Sequence, residues 1–359
     1  MTTAHARTPR PHDGAPSLRH TLAHLAVPVL LAVGMALAYL GGFHKPAPHA
    51  LKVDVIGASP QVQVLAQTMK NRLGDAADIR TVPTEAEART LLKHQEISGA
   101  YLPDPHTPRL LIASGGSETT ASVVERIFAP VALRQGLPLA VDDVAPTSPD
   151  DPSGQGIFFY LVALTVGAYS TSIAIGAAGA RLKPAVRGLL GVGAAAAVTL
   201  LTTLVAGPLY HAIPSHVLPI GGLALMYSTA VVLIGIGLHT FLGRFTTGAV
   251  VGLFVMLNFT TSGGVYAPQL QPGFFAALHN FWIGSGLVEA GRKLLYFPDL
   301  GIRGDVTKLA WWLAAGVLLL GLAATVERRR HSAPTTPVQR SEQPADDQER
   351  EELEEVVVA

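Results

Sequence analysis

The sequence predicts an α-helical polytopic membrane protein, with six transmembrane helices and a small α/β extracytoplasmic domain inserted between helices 1 and 2. Two bulk properties indicate this class: 49% of the 359 residues are hydrophobic while only 14% are charged, and the mean hydropathy is +0.36. Such values are too apolar for an ordinary soluble enzyme. The third observation is a series of apolar runs long enough to cross about 30 Å of hydrocarbon, which takes roughly 20 helical residues.

Six apolar runs are candidates for these helices. The first occupies residues 22–43, and the other five lie within residues 156–327. The runs begin at Leu22, Ile157, Gly188, Val217, Phe245 and Leu309. The run from Phe245 is the shortest. The first run has an alternative reading as a cleaved signal peptide, because ALA near its end resembles a cleavage site, but its length favours an uncleaved anchor.

Lysine and arginine residues flank the runs on one side, and positive flanks are retained in the cytoplasm. They precede the first run, separate the second from the third and the fourth from the fifth, and follow the sixth. We therefore expect a multi-pass protein of the cell (plasma) membrane with both termini cytoplasmic. Residues 1–21 are expected to be a flexible segment, residues 328–359 a disordered tail, and residues 44–155 to lie outside.

Residues 44–155 alternate between strand and helix signals and predict the α/β domain with a linker. LKVDVIG, DIRTVP, SGAYLPD and PRLLIAS are typical of strands. Ser59 and Pro60 open one helix, and Thr84 with Glu87 has the spacing of a capping box. A third helix is predicted at SETTASVVERIFAPVAL. The stretch VDDVAPTSPDDPSGQG is rich in turn-forming residues and predicts the linker back to the membrane.

Residues 258–297 interrupt the membrane-like pattern with NFTTSGGVYAPQLQPGFF before an apolar segment resumes. Gly263 and Gly264 allow tight backbone geometry, while Pro268 and Pro272 prevent a continuous helix. Irregular backbone cannot face lipid, so this segment must be buried in protein, line a polar cavity or reach the headgroups. We expect an outer element that is either re-entrant or interfacial.

Signals for catalysis or metal binding are weak. Cysteine is absent, no lysine is followed by serine or threonine, and the phosphate-binding loop of ATPases is therefore missing. His211 and His216 are spaced too irregularly around a proline to predict a metal site. We expect no enzyme, no metal and no cofactor in this chain. The net charge of zero gives no reason to expect a nucleic-acid partner.

The order of one helix, an outer α/β domain and five further helices resembles the permease subunits of type-2 ABC exporters, particularly the phage-infection-protein-like (YhgE/Pip) group. Two stretches carry the resemblance: DIRTVPTEAEARTLLKHQEISGAYLPD is similar to the outer-domain pattern of that group, and NFTTSGGVYAPQLQPGFFAALHNFWIGSGLVEAGRKLLYF to its fifth-helix exit. The resemblance implies export of an amphipathic or envelope-related substrate by alternating access.

The partners that the resemblance implies are a cytoplasmic ABC ATPase, which would supply ATP hydrolysis, and a second permease in a homodimer or heterodimer within the lipid bilayer. The candidate residues of the substrate path or gate are Tyr169, Ser170, Asn258, Ser262, Gly263, Gly264, Glu289 and Arg292. Arg181, Lys183 and Arg187 are the candidates for ATPase docking, or else only fix the orientation of the helices. The alternative function is a non-transporting, membrane-anchored scaffold whose outer domain binds an envelope component or a partner protein.

Overall fold

A computed structural model describes residues 18–332 of the chain. The expected flexible start up to residue 17 and the expected tail from residue 333 lie outside the described residues. Within the described residues, the chain up to Ala324 belongs to one compact unit, and residues 325–332 belong to a second. The described chain is mostly helical and contains a five-stranded sheet.

Between residues 18 and 332, four helical stretches are long and apolar enough to cross a membrane. They are Gly156–Ala178, Pro184–Leu209, Val217–Thr261 and Arg303–Arg330, and Pro28–Phe43 is a shorter apolar helix. The corresponding helices are α1 (Leu18–Phe43), α5 (Gly156–Ala178), α6 (Pro184–Leu204, continued by a π-helical turn), α7 (Val217–Leu242) and α12 (Arg303–Ser332). These apolar helices fit a protein embedded in a membrane.

The stretch Val217–Thr261 is a helical hairpin. After α7 ends, Gly243 adopts a positive φ of 50°, a conformation that glycine tolerates without strain. The second arm consists of α8 (Thr246–Val251), a π-helical segment and α9 (Asn258–Thr261). Asn258 Nδ2 donates a hydrogen bond of 2.9 Å to the Tyr227 hydroxyl. Because these two residues are almost equally far from Gly243 along the chain, the two arms must run antiparallel.

Helix α7 lies at the centre of the helical part. Every residue from Ala230 to Gly237 is buried, and α5, α6 and the second arm of the hairpin pack around it. Helices α6 and α12 instead leave apolar side chains on the surface, such as Leu189 and Leu318. A central apolar helix surrounded by helices with exposed apolar faces is the arrangement expected in lipid.

Between α1 and α5, residues 51–143 form a sheet with three helices, which we name the α/β region. Its elements are β1 (Leu51–Ile56), α2 (Pro60–Leu73), β2 (Ala77–Val82), α3 (Glu85–Lys93), β3 (Gly99–Leu102), β4 (Arg109–Ile112), α4 (Glu118–Leu133) and β5 (Ala140–Asp143). The strand order is β2-β1-β3-β4-β5, and only the β3–β4 pair is antiparallel. Two layers of buried side chains cover the sheet, one centred on Phe128 and one on Leu92.

The helix starts predicted in this region are confirmed, whereas the start of the predicted linker is wrong. The Ser59 and Thr84 side chains accept hydrogen bonds from the amides of Val62 and Glu87. Residues 140–143 form strand β5 instead of loop. This acidic strand is stabilised by side-chain partners, because Asp142 pairs with Arg89 and Asp143 accepts a hydrogen bond from Ser114.

The interrupted segment after α9 is buried at residues 261–264, whereas Phe274 and Phe281 further along it are exposed. It contains a 3₁₀ turn at Pro268–Leu270, then α10 (Gly273–His279) and α11 (Ile283–Tyr296). Glycines let α11 approach its neighbours on several sides. A Cβ atom added to Gly284 would lie 2.4 Å from Asn258 Oδ1, and one added to Gly291 would lie 2.7 Å from Ile157. Helix α11 therefore packs closely against α9 and α5.

Candidate functional site

The helical backbone breaks after Thr261, inside the protein. Gly263 has a positive φ of 77°, and both Gly263 and Gly264 are buried. The Ser262 hydroxyl donates to the Phe259 carbonyl at 3.0 Å and accepts from the Gly264 amide at 3.1 Å. The carbonyls of the two glycines then point out of the helix, and buried carbonyls need hydrogen-bond donors from elsewhere.

Arg292 on α11 supplies these donors. The residue is only 3% exposed, and its Nη1 and Nη2 atoms donate to the carbonyls of Gly263 and Gly264 at 2.8 and 2.9 Å. One planar guanidinium thus satisfies two successive carbonyls, a geometry that suits arginine better than lysine. Burial lowers the pKa of Arg292, and the nearby Glu289 carboxylate opposes that shift.

Glu289 lies one turn before Arg292 on the same face of α11. Its Oε1 atom is 3.7 Å from Arg292 Nη1 and 3.9 Å from His279 Nε2. Both distances are longer than a hydrogen bond. The carboxylate is therefore near two nitrogen-bearing groups without being bonded to either.

His279 at the end of α10 completes the charged cluster, which we define as His279, Glu289 and Arg292. Its Nδ1 atom is 2.9 Å from the Thr261 carbonyl. Because a carbonyl only accepts, Nδ1 must carry a proton in this contact. Burial lowers the pKa of His279, although Glu289 acts in the opposite direction. The neutral ring with a bare Nε2 is accordingly the form favoured at neutral pH.

A cavity of about 180 Å³ lies between the α/β region and the interrupted segment. We name it the junction cavity. The α/β region contributes Gln95, Ser98 and Ser117 to its walls, and the charged cluster contributes all three of its side chains. The cavity is the place where polar groups from both parts of the protein converge.

Direct contacts also join the α/β region to the interrupted segment. Thr119 Oγ1 donates to the Val265 carbonyl at 3.1 Å, and the amide of His49, two residues before β1, donates to the Gln269 carbonyl at 2.8 Å. The backbone of Gly115 lies so close to Tyr296 that an added Cβ would come within 2.6 Å of its ring. Residues 263–271 are thus held by Arg292 from one side and by the α/β region from the other.

A second polar group lies inside the hairpin and carries no charge. The Tyr227 hydroxyl is 2.5 Å from Thr165 Oγ1 on α5 and accepts the hydrogen bond from Asn258. Thr165 also donates to the Leu161 carbonyl. We name Thr165, Tyr227 and Asn258 the neutral polar chain.

The structure brings most of the predicted path residues together. Ser262, Gly263, Gly264, Glu289 and Arg292 lie at the break, and Asn258 lies one helical turn before it. The two predicted residues on α5 lie elsewhere. Tyr169 is half-buried against the apolar core, and Ser170 is exposed on the surface.

The predicted docking residues also differ in their surroundings. Arg181 and Lys183 are exposed between α5 and α6, whereas Arg187 is 2% exposed. A Cβ atom added to Gly179 would lie 3.5 Å from Arg187 Cγ, so this arginine packs against the end of α5.

Sequence reasoning missed His279, Tyr227 and Thr165. His279 and the adjoining Asn280 are the polar residues of an otherwise aromatic and apolar stretch, FFAALHNFW, and an ionisable residue in such a stretch was a usable signal. Tyr227 and Thr165 resemble ordinary residues of apolar helices, and only the fold shows that they meet Asn258. Within residues 18–332, no group of three histidine, aspartate or glutamate side chains is placed to hold a metal ion.

Comparisons with known proteins leave the family open. No family model matches the chain, and neither a curated protein nor a solved structure matches it. The resemblance to exporter permeases therefore rests on the order of the predicted elements and the stretches quoted above.

Proposed function

We propose that this chain is the membrane subunit of an exporter, a permease that moves an amphipathic or envelope-related substrate by alternating access. The observation that carries the proposal is the charged cluster at the break between α9 and α11. Helices that only anchor a domain need no ionisable groups among them, and such groups are costly in apolar surroundings and typical of functional sites. A separate cytoplasmic ATPase provides the energy in this proposal, and the chain itself catalyses no reaction.

The proposed topology has six crossings in the cell membrane, made by α1, α5, α6, the two arms of the hairpin and α12. The second arm, Thr246–Thr261, has 16 residues and would extend about 24 Å at the helical rise of 1.5 Å per residue. It is followed by the interrupted segment, which we propose to be re-entrant. The α/β region then lies outside, and both termini lie in the cytoplasm.

In this proposal residues 263–271 form the closed outer gate. Arg292 holds the beginning of the segment through two carbonyls, and Thr119 and His49 hold its later part. An outward-open state requires the α/β region and α11 to separate around this segment, which would expose the junction cavity. The ATPase docks at the loop between α5 and α6, where Arg181 and Lys183 are exposed.

The junction cavity also favours a second candidate function, a membrane-anchored scaffold whose α/β region binds an envelope component or a partner protein. The two functions differ in one respect that needs no knowledge of the substrate. An exporter changes the access to its gate when the cell loses ATP, whereas a scaffold does not.

Energy-dependent access can be measured with a single cysteine, because the natural chain has none. Ser262→Cys places a thiol in the buried break, and Glu125→Cys places one on the exposed surface of α4 as a matched control. Intact cells are treated with a membrane-impermeant maleimide before and after ATP depletion. We expect the labelling rate at position 262 to change at least about threefold while the rate at position 125 stays constant.

Equal rates at position 262 in energised and depleted cells would instead support the scaffold. Orientation is tested separately with Arg181→Cys, which should react with the impermeant reagent only after the cells are opened. Labelling of position 181 in intact cells contradicts the proposed topology, whatever the result at position 262.

A further inference from the structure

Two hydrogen-bond acceptors face each other in the junction cavity with no donor between them. His279 Nε2 and Glu289 Oε1 are 3.9 Å apart. The proton of the neutral histidine ring is on Nδ1, where it bonds to the Thr261 carbonyl, so Nε2 has only a lone pair to offer. Within the described residues, no side chain or amide donates a hydrogen bond to the Glu289 carboxylate. The His279 side chain is 11% exposed and the Glu289 side chain 20% exposed, so a ligand in the cavity can reach both acceptors.

The charges around this gap argue against an ionic partner. Arg292 Nη1 is 3.7 Å from the Glu289 carboxylate, and Lys308 Nζ on α12 donates to the His279 carbonyl at 3.3 Å. The Arg292 guanidinium therefore already lies beside this carboxylate, and a second cation entering the cavity would be repelled by it. An anion would meet Glu289 directly. A neutral group with two adjacent donors can bond to both acceptors, and it is repelled neither by the cation nor by the carboxylate.

The remaining walls of the cavity suit a small hydroxylated ligand. Gln95, Ser98 and Ser117 on the α/β side offer an amide and hydroxyl groups that both donate and accept, and Phe297 offers an apolar ring. The volume of about 180 Å³ is smaller than the usual pocket for a drug-sized molecule. Its size therefore selects a compact ligand over a lipid chain or an extended polymer.

We propose that the junction cavity binds a neutral polyhydroxyl group of about the size of one sugar ring, with neighbouring hydroxyls donating to Glu289 and His279. The group is either a free polyol or the end of a glycosylated molecule. This inference goes beyond the proposed export function and does not rest on it, because binding requires neither an ATPase nor transport.

The test uses the full chain in lipid nanodiscs and isothermal titration with four probes: methyl α-D-glucopyranoside, its galactose and mannose isomers, and myo-inositol. Tetrahydropyran-2-methanol is the matched control ligand, because it has a sugar-like ring with a single hydroxyl. Ethylammonium chloride tests the cationic alternative. We expect saturable binding of at least one polyol, with an affinity at least about tenfold higher than that of either control, since hydrogen bonds to a charged acceptor are the strong ones.

A pair of matched variants assigns the binding to this site. Glu289→Gln keeps the size of the side chain but removes its charge, and should weaken polyol binding about tenfold. Glu125→Gln makes the same change on the exposed surface of α4 and should leave binding unaltered. Acidification of the unaltered protein provides a second readout. Protonation of His279 at Nε2 removes the lone pair that accepts the hydrogen bond, so the affinity for the polyol should fall.

Three results would overturn the inference: binding of none of the four polyols, tighter binding of ethylammonium than of any polyol, or equal polyol affinity in Glu289→Gln and Glu125→Gln. If Glu289→Gln does not fold, the pH series and the comparison with tetrahydropyran-2-methanol still decide the question. A fall in affinity on acidification that is unchanged in His279→Gln excludes His279 as the group that titrates.

Discussion

The neutral polar chain and the charged cluster both lie in the helical part of the molecule, yet they satisfy different hydrogen-bonding needs. In the neutral polar chain the backbone is helical and already bonded, so side chains such as Tyr227 and Asn258 bond mainly to one another. At the charged cluster the helix is broken, and Arg292 bonds to backbone carbonyls instead. Charge is thus placed where irregular backbone needs strong donors, and neutral groups suffice where the helix is intact.

The largest expected effect is that of replacing Arg292. Arg292→Met leaves two buried carbonyls without donors and removes the cation nearest to Glu289, so we expect a loss of about 3–5 kcal/mol of unfolding free energy. Arg292→Lys should lose less unfolding free energy than Arg292→Met, because the lysine ammonium can still donate to part of the pair of carbonyls. The measurement is denaturant-induced unfolding of the full chain in detergent micelles.

Arg303→Met is the control for this prediction, since Arg303 is exposed at the start of α12. The contrast between the two polar groups fails if Arg292→Met destabilises the protein no more than the removal of the Tyr227 hydroxyl does.

The second-largest expected loss of stability comes from the close packing around the helix break after Thr261. A Cβ atom added to Gly264 would lie 2.2 Å from Phe158 Cδ2 and 2.7 Å from its Cβ, so rotation of the ring cannot relieve the clash. We expect Gly264→Ala to cost about 1–3 kcal/mol, the range typical of overpacked cores. Gly273→Ala is the matched control, because apart from Gly273 and its immediate chain neighbours no heavy atom lies within 4 Å of the added Cβ.

A double variant sharpens this prediction. Phe158→Ala removes Cδ2 and Cγ, two of the three atoms nearest to the added Cβ, so Gly264→Ala should be less destabilising in the Phe158→Ala background than in the unaltered protein. Equal losses in both backgrounds would show that the packing against Phe158 is not the cause.

The features that the sequence predicted correctly depend on neighbours within one turn of chain. The N-caps at Ser59 and Thr84 could be identified because a cap bonds to an amide three residues later. The interruption after α9 could be identified from its glycines and prolines. In contrast, strand β5 looks like a loop, because its aspartates are compensated by Arg89 and Ser114, which are distant in sequence.

The candidate site was predictable only in part, for the same reason. Glu289 and Arg292 are three residues apart, so their shared helix face follows from the sequence. The bonds from Arg292 to Gly263 and Gly264 join residues nearly 30 positions apart, and no local pattern indicates them. The placement of His279 beside Glu289 likewise depends on how α10 folds back over the break.

The neutral polar chain should give smaller effects. Tyr227→Phe removes the acceptor of Asn258 and one partner of Thr165, and Thr165 keeps its bond to the Leu161 carbonyl. We expect a loss of about 1 kcal/mol, as for a typical buried hydrogen bond. Tyr210→Phe is the control, since Tyr210 is exposed. If Tyr227→Phe lost more than about 3 kcal/mol of unfolding free energy, the neutral polar chain and the charged cluster would contribute equally to stability.

The smallest expected effect is a pH dependence of stability that comes from His279, because protonation alters one group and removes no side chain. Burial lowers the pKa of His279 below its ordinary value of 6.5, so the folded protein binds this proton less readily than the unfolded chain. The stabilisation is fully present above about pH 6.5 and is lost as the pH falls towards the lowered pKa. The thermal midpoint of the full chain should therefore decrease on acidification in this window. His279→Gln should flatten that decrease, whereas His94→Gln, at an exposed position of the α/β region, should leave it unchanged. A pH profile that is identical in all three proteins would show that His279 does not titrate differently on folding, and that the charged cluster is as indifferent to pH as the neutral polar chain.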